Sequence, residues 1–267
     1  PIANTSKEVT EAFIDYDGMV SLSYKLPTYR ERALTTAFGA AGRDYLDQNT
    51  ADSLTGFVSF GYSEKRKLPF KFNYSAYATD VSGHPYNAGQ QGVFGLSVDL
   101  PKNANLQTSL RVGETRHFKY LGSSAGKQRD NETLGVSATY LRPIAGLSIP
   151  LLVSTSLLGD KSSAEIKHFS AQSVSAVLGL RTRLARVNVS LSLDFLVTEY
   201  EGANTLISTQ IRQDERTRLT ASLGYKLPPH LGAIDLALSG FTADTRSNIP
   251  NSTRTLSELK LSLRRNF

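Results

Sequence analysis

The 267-residue chain has no cysteine, no tryptophan and a single methionine. Without cysteine it has neither a disulfide framework nor a thiolate metal site. Its histidines, His84, His117, His168 and His230, are not spaced with one another or with a carboxylate as a metal site requires, so no metal or other cofactor is expected. No stretch of about eighteen apolar residues occurs, which excludes a transmembrane helix. Catalytic signatures are missing as well. No His-x-Ser-type pair and no acidic pair beside a loop histidine is found, and GDKSS at 159–163 lacks the upstream glycine and following helix of a phosphate-binding loop. An enzyme is therefore not expected. The net charge is +6, but Lys and Arg are scattered among Ser and Thr with no basic helix and no basic-aromatic cluster, so nucleic acid is not an expected partner.

What the chain does have is period two. In its last stretch, Arg254 to Phe267 (RTLSELKLSLRRNF), Leu259, Leu261, Leu263 and Phe267 fall on one face of an extended strand and Glu258, Lys260, Ser262 and Arg264 on the other. The same alternation predicts strands over about 12–26, 32–46, 53–63, 68–80, 92–100, 106–120, 133–142, 147–158, 170–184, 187–200, 215–227 and 232–244. One parity is aliphatic or aromatic in nearly every strand, the other hydroxyl, amide or charged. SGHPYNAGQQ, before 92, reads as a loop, and Pro150, inside the eighth strand, predicts a bulge. Connections of about three to five residues alternate with longer ones, which implies up-and-down order.

A soluble β-sandwich also alternates, but here every strand would have to be one-sided around one small core. A closed barrel in a bilayer pairs all backbone groups and gives the apolar parity hydrocarbon to face. A mean hydropathy of −0.24 is compatible with this, because only every second residue then meets lipid. The apolar-face rings of Tyr24, Tyr62, Tyr140, Tyr225 and Phe267 lie at or a few residues before a short turn or the last residue, as an interfacial girdle requires, although tryptophan is absent from it.

The last strand resembles the C-terminal strand of Gram-negative outer-membrane β-barrels, and the repetition of its pattern along the chain extends the resemblance to the whole. It implies an all-β, antiparallel, up-and-down transmembrane barrel, integral to the bacterial outer membrane, with its short turns periplasmic. Leu259, Leu261, Leu263 and Phe267 would be the signal read by the barrel assembly machinery, and outer-membrane lipids and lipopolysaccharide would surround the wall. Thirteen strands are legible; bacterial barrels usually have an even number. Fourteen are expected, with residues 1–11 as a weak first strand or an insert in the lumen, and twelve or sixteen as the alternatives. Residues 1–267 form a single domain on this reading.

The lumen of such a barrel is too wide for side chains to fill. The polar parity would line it with Asp15, Asp17, Lys71, Asp99, Arg111, Lys119, Arg181, Arg183, Asp194, Arg218, Asp235, Glu258, Lys260 and Arg264. Mixed charge on a wall orders water and passes polar solutes; the competing reading is that these groups pair off as structural ion pairs. The expected function is a porin-like channel for hydrophilic solutes, saccharides among them, with a mild anion preference. The alternative is the barrel of an export system that conducts a polymer or anchors a periplasmic partner. No break in the apolar faces marks a subunit interface, so a monomer is expected.

Overall fold

The computed structural model describes residues 13–25, 32–45, 52–64, 69–118, 129–146, 149–205, 207–227 and 234–265, and only the backbone of 13–18, 21, 23, 25, 44, 45, 234, 264 and 265. The predicted N-terminal segment 1–11 lies outside the described residues. The described residues form one sheet of thirteen strands: β1 (Phe13–Lys25), β2 (Arg32–Tyr45), β3 (Ser53–Glu64), β4 (Phe70–Val81), β5 (His84–Leu100), β6 (Ala104–His117), β7 (Asn131–Ile144), β8 (Leu151–Ala164), β9 (Ala171–Leu184), β10 (Val187–Tyr200), β11 (Gln213–Lys226), β12 (Ile234–Ser247) and β13 (Arg254–Arg265). Each pairs with its sequence neighbours and all pairs are antiparallel. Among the described residues β1 and β13 are the outer strands and do not pair with each other. Both run towards the same end, because the strand number is odd.

Two expectations are corrected. The stretch 82–91 is not a loop. Ser82 (φ 52) and Gly83 (φ 80) alone connect β4 to β5, the two positive φ values of a tight hairpin turn whose twist matches the strands it joins. The alternation then continues through Asn87, Gly89 and Gln91, disguised in the sequence by glycines and amides. Pro150 lies before β8, not in it, and its carbonyl accepts a hydrogen bond from Thr182 Oγ1 (2.8 Å). A residue without an N–H fits the entry to a strand. The register irregularity falls between Thr79 and Asp80 instead.

The faces are inverted relative to a globular core. In β11, Leu219, Leu223 and Tyr225 are exposed, whereas Arg216, Arg218, Thr220 and Ser222 on the other parity are partly covered. Among the described residues the buried apolar ones are Ala104, Ala243 and Ile249. On β13, Leu259, Leu261 and Leu263 are 74%, 76% and 67% exposed. Among the described residues no second layer packs on the apolar parity of these strands.

The register is staggered. One cross-strand row on the apolar face runs from Tyr24 through Leu34, Tyr62, Phe72, Phe94, Leu110, Val136, Gly159, Val174 and Val197 to Glu215 and Arg246. Tyr24 is next to the last residue of β1, and Arg246 is next to the last of β12, which runs the opposite way. The row therefore climbs from one end of the sheet to the other, roughly one residue per strand. With ~3.3 Å per residue against ~4.8 Å between strands, that stagger corresponds to a strand tilt of about 35°.

Candidate functional site

The candidate site is the polar parity of the sheet, called the inner face here because its side chains are the more covered. The period of two puts every second residue on it, and the register decides which of them meet. Much of it is built from hydroxyls joined across adjacent strands: Thr55 with Thr79 (2.9 Å), Ser109 with Ser137 (2.7 Å), Thr139 with Ser156 (2.9 Å) and Ser190 with Ser222 (2.7 Å). Short side chains of this kind satisfy one another and leave the space in front of the wall empty.

Of the fourteen charged residues expected here, ten have described side chains. Arg111 and Asp194 form ion pairs, each with a residue outside the expected set: Arg111 with Asp160 of β8, and Asp194 with Arg216 (3.3 Å) of β11. Asp194 stands opposite Arg218 in the register, yet the Arg218 guanidinium lies 3.8 Å from the Phe241 ring centroid. That placement favours the ring face by the cation's attraction to its quadrupole. Lys71, Asp99, Arg181, Arg183, Asp235, Glu258 and Lys260 all fall on the inner parity. Asp15 and Asp17 are in register with Arg43 and Ala41, and Arg264 with Asp235, on the backbone alone. Lys119 lies outside the described residues.

Tyr77 is a further inner-face group with no charge to betray it. Its hydroxyl bonds Thr115 (3.0 Å) across Gly89, and its ring lies so close to that glycine that a Cβ there would sit 2.7 Å from it. Asp160 is missed because the sequence reading ends its strand at 158; yet Ser154, Ser156, Leu158, Asp160 and Ser162 keep one parity through β8, and that continuity was the available signal.

On the apolar face Tyr24, Tyr140 and Tyr225 are exposed and stand near the ends of their strands with Tyr62. Tyr62 donates to Glu64 Oε2 (3.0 Å), and its ring lies 5.5 Å from that of Phe70, itself 6.0 Å from Phe94. Phe267 lies outside the described residues. At the opposite end Arg212, just before β11, grips Asp214 at the start of that strand with two bonds (2.9 and 2.6 Å). That side-chain hydrogen bond raises its already high pKa.

No family model matches the chain, and no curated protein matches it.

Proposed function

We propose that the sheet closes into an outer-membrane barrel whose inner face lines a water-filled passage for small hydrophilic solutes. The observation that carries this reading is the inversion of the faces. More than thirty large apolar side chains are exposed, Leu261, Val174 and Leu22 among them. At ~1.5–3 kcal/mol for each such side chain kept from water, leaving that face wet forgoes tens of kcal/mol, well beyond the ~5–15 kcal/mol net stability of a folded domain. Hydrocarbon covers such a face without asking for a second protein layer. The tilt of about 35° from the stagger supports closure too, because strands of a barrel must lean and shift in this way. A fourteen-strand barrel with that tilt is roughly 26 Å across between backbones. Small hydroxyls on the wall leave a wide opening in it.

Planar-bilayer recording of the refolded full chain is the test. A steady, ohmic open state is expected. A barrel that inserts but stays shut until a partner is added would instead favour an export or anchoring role. A chain that remains monomeric in water without detergent would overturn the membrane reading altogether.

A further inference from the structure

At the short-turn end of β9 to β11 the inner face is basic and unbalanced. Arg181 and Arg183 are two residues apart in β9, hence on one face and roughly 7 Å from each other. Ala185 and Arg186 make the turn into β10, and the backbone N–H of Lys226 bonds the carbonyl of Arg186 (3.1 Å). Against these four cations the register sets one acid, Asp235, opposite Lys226. Neither Arg181 nor Arg183 has a carboxylate partner among the described residues, unlike Arg111 and Arg216 higher on the wall.

The two arginines border a hollow of about 490 Å3, whose other walls include Asn188, Ser190, Ser222 and Gly224. The Arg183 Nε donates to the Ala185 carbonyl (3.2 Å), which holds the guanidinium beside the turn at the edge of the hollow. Asn188, in register with Arg183, and Ser190, in register with Arg181, add an amide and a hydroxyl. Paired guanidinium forks with neutral donors beside them suit a phosphate-type oxyanion better than a neutral solute, because each fork can give two parallel charge-assisted bonds.

We infer that this hollow is a binding station for a small polyvalent oxyanion of the phosphate class, at one mouth of the passage. The inference deepens the channel reading and rests on it for its role, though not for the binding itself. Its test is calorimetric titration of inorganic pyrophosphate into the full chain in detergent, beside bilayer recording of the same preparation. Saturable binding is expected, weakened about ten-fold or more when Arg181→Ser and Arg183→Ser are combined and unchanged by Lys71→Ser on the distant wall. Equal affinity in the double variant, or no binding by the parent chain, overturns the station. A barrel that binds pyrophosphate but never conducts overturns the channel and leaves the station; a conducting barrel that does not bind does the reverse. Melting of the double variant at the parent temperature checks that it folds.

Discussion

Two rows of the inner face solve one problem with different chemistry. In the first, Tyr77, Gly89 and Thr115 stand side by side on β4, β5 and β6; in the second, Arg111, Gly135 and Asp160 do so on β6, β7 and β8. In each, the outer two side chains join over a glycine, by a neutral hydrogen bond in one case and an ion pair in the other. Strands two apart are ~9.6 Å from each other, so direct bonds between them need the middle residue to be out of the way. Neither glycine has a positive φ; the lack of a Cβ, not backbone freedom, is what these rows use. The rows also mark a division of the wall. The inner parity of β2 to β5 has charge only near strand ends, at Arg43, Lys71 and Asp99, whereas β6, β8, β10, β11 and β13 carry charge further in, at Arg111, Asp160, Asp194, Arg218 and Glu258.

Filling the two gaps separates the cases. Gly89→Ala is expected to cost the most, about 2 kcal/mol, because an overpacked rigid ring can step aside only by giving up the Thr115 bond. Equilibrium unfolding in urea from lipid vesicles measures it, and combination with Tyr77→Ser is expected to recover most of the loss; a fully additive double variant would show that the ring is not the obstacle. Gly135→Ala drives a methyl into the Asp160 carboxylate. Both partners there are about a third or more exposed, and solvent screening limits the expected cost to about 1 kcal/mol. At 1 M salt, where the Debye length is ~3 Å, that smaller penalty should shrink while the Gly89→Ala penalty persists. Should both respond alike to salt, the contrast between a steric and an electrostatic row is wrong. The smallest effect is expected from Thr55→Val, about 0.5 kcal/mol, since Thr79 loses one neutral partner and keeps access to water.

These rows also show how far the sequence can be read. The alternation of Leu219, Ala221, Leu223 and Tyr225 with Arg218, Thr220 and Ser222 is local, and it puts the ten expected inner charges with described side chains on that parity, while Asp160 and Arg216 lie outside the expected set. Strand order followed too, because consecutive period-two segments with brief connections leave up-and-down neighbours as the simplest arrangement. Contacts between strands could not be read in the same way. Arg111 and Asp160 are far apart in the chain, and only the register brings them level with Gly135. Asp194 pairs diagonally with Arg216 while Arg218, directly opposite, turns to Phe241; which of two nearby cations wins depends on side-chain packing that no spacing encodes. The β4–β5 hairpin was hidden for a third reason. Pro85, Gly89 and Gly92 are turn-formers in most settings, and here they continue a strand whose turn is already complete at Ser82–Gly83.

That brief hairpin leaves its mark on the shape of one rim. At the same end the other connections are longer, with residues 118–130 and 201–212 the most extended in sequence. The two-residue connection thus stands at the end of the two strands whose inner parity is uncharged at mid-height. On the proposed closed barrel a solute arriving there would meet the Thr79 hydroxyl, the Asn87 amide and the Tyr77 ring, with no guanidinium on either strand.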